Sequence, residues 1–257
     1  MDPSVHGYRR FGVSALAILS ALALTAGLAG CVIRPAATPV SAHAPSARAA
    51  PSAHVGEPFD IVPGDSRLIV LVYRAGPLAA LGHNHLIACR CITGTLYLPQ
   101  DPVRGGFDLR VAVDELTVDD PTLRAAEHSV DFPPDVPRSA RQGTRHNMLG
   151  TALLYAVRYP QIALRAERLR PSSDGKPADL IADALVEVRG HARSIAVPVH
   201  TEIRTDRIVA TGEFSLRQTA IGLTPFSIMG GALRVRDAMT VRFRIVARRR
   251  SDKMTPR

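Results

Sequence analysis

The sequence predicts an all-β domain: eight antiparallel strands forming a sandwich or barrel, with one helix inserted. Three observations carry this expectation. Apolar and polar residues alternate with period two through most of residues 66–245, turn signals separate the alternating runs, and one stretch alone has helical spacing.

The first strand is expected over Ser66 to Arg74 and the second around His85 to Leu98. In Phe107 to Asp114, Phe107, Leu109, Val111 and Val113 share one face, while Asp108, Arg110 and Asp114 take the other. Ser139 to Arg158 puts Met148, Leu149, Ala152 and Tyr155 at helical spacing, and Pro160 closes it, so this is the inserted helix. Strands resume with Gln161 to Arg170 and Ala182 to Arg189, then Ile195 to Ile203 and Ile208 to Arg217, where Phe214 faces inward. In the last run Leu233, Val235, Met239, Val241, Phe243 and Ile245 oppose Arg234, Arg236, Arg242 and Arg244. Turns fall at Gly105-Gly106, Ser172 to Pro177, Gly190 and Asp206. If the strands close into a barrel of eight, its interior holds side chains or one small ligand.

The ends of the chain have a different character. Arg9 and Arg10 precede an uncharged apolar run, Phe11 to Leu24, and small residues lead to Leu28-Ala29-Gly30-Cys31. Residues 1–30 therefore read as an export signal that is removed on maturation. The strongly apolar part is shorter than the roughly 20 residues a membrane span needs. Leu28-Ala29-Gly30-Cys31 resembles the bacterial lipobox, whose cysteine receives a diacylglyceryl group. That resemblance implies acylation of Cys31 by two or three chains, palmitate among them, and durable membrane attachment. Val32 follows the cysteine where an inner-membrane retention signal would have Asp, which points to the outer membrane in a Gram-negative host. The expected location is the periplasmic side of the bacterial envelope. From residue 31 to residue 56 the chain is Ala, Pro, Ser and Val with little else, a composition suited to an extended tether. The folded domain is then residues 57–249, and residues 250–257 form a basic tail.

The net charge of +9 falls to +8 once Asp2, Arg9 and Arg10 are removed with the signal. A basic balance suits anionic partners or membrane surfaces, but with no Trp and no aromatic stacking platform nucleic acid is not an expected partner. Nothing in the sequence fixes an oligomeric state. Gly82-His83-Asn84-His85 is too compact for a nuclease. His83, His85, Cys89 and Cys91 share a strand face, yet eight residues at about 3.3 Å each separate the first from the last by roughly 26 Å, so they cannot share one metal ion. A two-histidine site completed by His128 or His146 stays open beside the plainer reading, in which these polar residues serve a barrel mouth. A Cys89–Cys91 bridge would need a bulge, and free thiols are equally compatible. The arginine stripe reads as the solvated face of a strand or as a dock for anionic headgroups. No nucleophile elbow, Walker loop or metalloprotease motif is present, so a binding protein without catalytic residues, resident metal or cofactor is expected rather than an enzyme.

Several segments, in order, resemble the YceI-like family of bacterial periplasmic proteins. They are Ser66 to Tyr73 followed by Gly82-His83 and Gly94; Asp114-Glu115-Leu116-Thr117-Val118; Arg158-Tyr159-Pro160-Gln161-Ile162-Ala163-Leu164; Ala184 to Val199 around Gly190-His191; and Ala210-Thr211-Gly212-Glu213-Phe214 leading to Ala220-Ile221-Gly222-Leu223. The likeness spans Ser66 to Val246. It implies an eight-stranded antiparallel lipocalin-like barrel whose apolar cavity holds a polyisoprenoid or isoprenoid-quinone-like lipid. On that reading Phe107, Leu109, Val111, Phe214, Met239 and Phe243 line the cavity. The helix with Met148, Leu149 and Tyr155, together with Phe226 and Met229, covers an opening, and Tyr73, His83, Asn84 and His85 contact the ligand, the last three at its polar head. The Pro-rich loop Thr122 to Arg138 and the extra histidine in Gly82 to His85 depart from the family pattern. Two rivals remain: a metal-handling or accessory envelope protein using His83 and His85, and a ligand-free interaction scaffold.

Overall fold

The structure is a computed structural model that describes residues 54–166, 168–173, 176 and 179–251. The expected export signal, Cys31 and most of the tether and basic tail lie outside the described residues. Eight strands run in sequence around a closed barrel. They are β1 (Glu57–Ile61 and Arg67–Val72), β2 (His85–Cys89 and Ile92–Leu98), β3 (Gly106–Ala112), β4 (Gln161–Ala166 and Leu169–Pro171), β5 (Asp179–Val188), β6 (His191–Ile203), β7 (Arg207–Arg217) and β8 (Ala238–Arg249). Each pairs antiparallel with the next, and β8 returns to β1 through Thr240↔Leu71 and Phe59↔Arg249. Closure decides between sandwich and barrel, and it removes the exposed edges an open sheet would have.

Two adjoining strands are interrupted at the same level. β1 breaks at the 3-10 turn Pro63–Asp65, where proline supplies no donor for the ladder. Ser66, fully buried, patches the gap: its Oγ donates to Val62 O at 2.8 Å and accepts from Val246 N at 3.0 Å. β2 breaks beside it, where Cys89 and Cys91 form a disulfide with Cα atoms 5.2 Å apart. The pairing of β1 with β2 therefore stops at Asp60↔Thr95 and restarts at Leu68↔Cys89, and the Arg90 guanidinium donates across the gap to Gly64 O.

Alternation puts Leu68, Val70 and Val72 inside the barrel, but Ile69, Leu71 and Tyr73 on the other face are apolar too. The loop read from sequence as a departure covers them. Within it, helix α1 (Pro121–Ala126) is capped by the Asp120 carboxylate, which accepts from Leu123 N at 3.0 Å. Its Leu123, with Phe132, packs on Leu71, Leu86 and Ala88 outside the barrel. The single inserted helix expected is thus two, because a short capped turn carries too few residues to show a period.

The second helix, α2 (Arg138–Leu149), ends nine residues before Arg158, the expected end. Gly150 leaves the helix in an extended conformation (ψ 172°), and Tyr155 follows at φ 50°, so the remaining apolar residues enter as turns. The last expected strand is also split. Leu233–Val235 pairs with Ser227–Ile228 and Arg74–Ala75 in a small side sheet, and β8 starts only at Ala238. Arg234 and Arg236 therefore do not continue the stripe of Arg242 and Arg244. Among the described residues no helix is long and apolar enough to cross a membrane.

Candidate functional site

The inward faces of all eight strands surround one elongated cavity of about 310 Å³. Its lining is almost wholly aliphatic. Among the described residues, Tyr97 and Thr201 near one end and Gln218 at the other carry the only oxygen- or nitrogen-bearing side chains in it. At the Gln218 end, Met148, Leu154, Ile221 and Leu223 are each 7 % exposed and form a plug. At the opposite end Ile203, also in the lining, is 42 % exposed, so the cavity meets solvent there. The chain enters the barrel at this mouth: Glu57 pairs with Leu98, and the His54 ring stacks on Tyr97 (centroids 4.3 Å apart) while bonding to Asp108 at 2.8 Å.

Phe107, Leu109, Val111, Phe214, Met239 and Phe243 stand in the lining where sequence put them, and Met148, expected in the helix over an opening, reaches the lining from the plug. Phe243 has room because Gly212 lies directly opposite: a Cβ there would come within 2.6 Å of the ring and 2.4 Å of Pro198 O. The other proposed contacts lie elsewhere. Leu149 packs against the core without lining the cavity, and Tyr155 turns to the Tyr159 ring, 6.0 Å away. Phe226 and Met229 sit by the side sheet, with Met229 exposed, because the segment before β8 folds away from the barrel end. The Tyr73 hydroxyl bonds to Thr240 Oγ1 at 2.9 Å on the outer wall. The plug itself (Leu153, Leu154, Ile221 and Leu223, with Leu116 of the strand exit) was not singled out from sequence, although Leu116, Ile221 and Leu223 fall inside the family-like segments.

The histidine segment also lies outside the cavity, and the polar atoms of Asn84 and His85 are already spent. His85 Nδ1 meets Asp119 Oδ2 at 2.6 Å, and its Nε2 meets Thr144 Oγ1 of α2 at 3.1 Å. Asp119 Oδ1 accepts from Leu86 N (2.8 Å) and from Arg124 (2.6 Å). Arg124 is 1 % exposed and donates further to Asn84 O and Pro133 O, with its guanidinium over Phe132. Burial pushes the Asp119 carboxyl up, but hydrogen bonds from His85 and Leu86 N–H and the charges of His85 and Arg124 outweigh it and hold it below the usual carboxylate value. The Asn84 amide accepts from Arg74 N and donates to Asp131 O. His83 is exposed and meets only the edge of the His85 ring, 6.2 Å between centroids. No group of three or more His, Cys, Asp or Glu converges on a metal position among the described residues. This network clamps α1 and α2 to the barrel wall, and with both His85 nitrogens occupied it removes the geometric basis for a metal site there.

No family model matches the sequence, and no curated protein does. The fold is similar to that of Burkholderia cenocepacia BcnA, with a TM-score of 0.53 and 12% identity, covering 73% of this chain and 99% of that one. Weaker likenesses are to a polyisoprenoid-binding domain from Saccharophagus degradans (TM-score 0.47, 10% identity, 75% and 98% covered) and to the YceI protein of Campylobacter jejuni (0.44, 7%, 62% and 82%).

Proposed function

We propose that this chain is a YceI-like lipid container: it stores or carries a polyisoprenoid or isoprenoid-quinone-like lipid on the periplasmic side of the bacterial envelope, tethered through acylated Cys31. One observation carries the reading, the continuous aliphatic cavity of about 310 Å³ with polar side chains only near its two ends. That volume lies within the range of about 300–1,000 Å³ typical of small-molecule sites. The tail occupies the barrel and the head stays near Tyr97 and Thr201 at the mouth. Each buried CH2 contributes about 0.8 kcal/mol, or about fourfold in Kd, so affinity rises with tail length until the cavity is full. The ordered family-like segments of the sequence support the same assignment. No catalytic constellation opens into the cavity among the described residues, which favours binding over turnover.

The test is solvent extraction of the purified chain followed by mass spectrometry, together with titration of prenols and quinones of increasing tail length. A co-purified isoprenoid, or affinity that climbs with tail length and then levels, is expected. An empty cavity with no length dependence would refute the container. The anchor is tested separately, by loss of the acylated form in Cys31→Ala.

A further inference from the structure

A second concave feature lies on the outside of the barrel. A groove of about 540 Å³ where β1, β7 and β8 adjoin is lined by Arg67, Arg90, Arg207, Arg242 and Arg244, with Asp65 as its one carboxylate. Arg242 is committed to Glu127 and Glu213, and Arg90 donates to Gly64 O. Arg67, Arg207 and Arg244, and Arg248 next to them, have no ion pair among the described residues.

Their placement in the ladder sets like charges against one another, although Arg248 also faces Asp60 of β1 on its other side. Arg244 stands directly opposite Arg67, and Arg207 directly opposite Arg248. Like charges on facing positions of adjacent strands destabilise a sheet. The arginines do not serve as edge protection, because β1, β7 and β8 each have neighbours on both sides in the closed barrel. Nor are they all freely solvated: Arg207 is half-buried, and its Nε is shut off from solvent with no hydrogen-bond partner among the described residues.

We propose that this groove, with Arg248 beside it in the ladder, is a binding site for phosphate-type oxyanions, held by the guanidinium groups of the cross-strand pairs Arg67–Arg244 and Arg207–Arg248. Guanidinium forks match phosphate oxygens in bidentate geometry, and they attract more strongly where solvent is partly excluded. Arg244 and Arg248 are four residues apart on one strand, about 13 Å. One small anion therefore engages one pair, whereas an array of lipid phosphates engages both. The site is separate from the apolar cavity, with Phe243 the one residue common to both linings, and does not depend on what the cavity holds.

The experiment uses the full chain at fixed ionic strength. Thermal unfolding is followed with pyrophosphate against chloride, and flotation is followed with vesicles of phosphatidylcholine alone or mixed with phosphatidylglycerol. The variants are Arg67→Gln with Arg244→Gln, and Arg207→Gln with Arg248→Gln. Without added anion the Arg67→Gln with Arg244→Gln variant should unfold at or above the wild-type temperature, since it relieves a like-charged pair, and the Arg207→Gln with Arg248→Gln variant close to it, since Arg248 also faces Asp60; this also shows that they fold. If the source is free phosphate, pyrophosphate raises the wild-type Tm where chloride does not, and one double variant weakens binding by about tenfold or more, the loss of roughly one charge-assisted contact. If the source is a lipid headgroup, only phosphatidylglycerol vesicles bind the wild type, and both double variants reduce that binding. Equal effects of pyrophosphate and chloride with no phosphatidylglycerol dependence would overturn the site, as would binding that neither double variant weakens.

Discussion

Replacing Asp119 by Ala tests the clamp between the helices and the barrel. The substitution removes the only carboxylate facing Arg124 among the described residues, and the Arg124 side chain is 1 % exposed. Breaking a buried ion pair by deleting one partner typically costs about 3–5 kcal/mol, since the remaining charge stays buried. Two effects bear on where in that range the value falls. Arg124 keeps its bonds to Asn84 O and Pro133 O, which softens the loss. Leu86 N, a buried strand donor, loses its acceptor, which adds about 1–3 kcal/mol. A destabilisation of about 4 kcal/mol is therefore expected, a large part of the total for a domain stable by about 5–15 kcal/mol. Urea unfolding of wild type, Asp119→Ala, Arg124→Leu and the double variant provides the measurement. The double variant should lose clearly less than the sum of the two single losses, because removing both charges leaves none buried alone. A single-variant loss under about 1 kcal/mol, or strictly additive losses, would show that the pair does not hold the clamp.

The same carboxylate sets a pH dependence. Its folded-state pKa is depressed, so its contribution is fully present above the unfolded value of about 3.9 and is lost as pH falls through the lower folded value. Between about pH 5 and pH 3 wild-type stability should fall more steeply than that of Asp119→Ala; parallel urea midpoints across this range would contradict the assignment. In the cavity, Ala210→Phe projects a ring from β7 into the lumen. It should abolish or shorten the accepted lipid tail while changing stability by less than about 2 kcal/mol, since the side chain enters existing space rather than packed core. Undiminished binding of the longest tail would refute the placement of the ligand.

The barrel was readable because inward and outward residues alternate cleanly on β3, β5, β6 and β7, where one face is solvated. The pattern failed where both faces are covered. β1 reads as continuous apolar sequence in Leu68-Ile69-Val70-Leu71-Val72, since its outer face lies under Leu123 and Phe132. A sequence cannot show which loop will return to roof a strand. The lining residues with large side chains on regular strands, such as Phe107 and Phe214, were legible from parity alone. The setting of His85 was not, because its partners Asp119 and Thr144 are distant in sequence and use up its hydrogen-bonding capacity. The plug was hidden for a related reason: Gly150 ends α2 early, and Leu153 and Leu154 reach the cavity from turns that have no period. The arginine stripe of the last strand was visible, but not the groove it shares with Arg67 and Arg207, because cross-strand register, not spacing along one strand, sets Arg67 against Arg244.

The paired interruptions at Pro63–Asp65 and Cys89–Cys91 bear on how the barrel can accommodate cargo of different girth. Intact strands cannot slip by one residue without turning every side chain to the wrong face, so a closed barrel is stiff around most of its circumference. Between Asp60↔Thr95 and Leu68↔Cys89, however, β1 and β2 share no ladder rungs, and the span is bridged by the Arg90 side chain and the patch at Ser66. A thinner seam lies between β6 and β7, which share only the rungs from His200↔Thr211 to Ile203↔Ile208. The wall is thus laddered unevenly: the long β5–β6 and β7–β8 pairings hold the register, and a wider cargo would be accommodated at these weaker seams before it disturbed them.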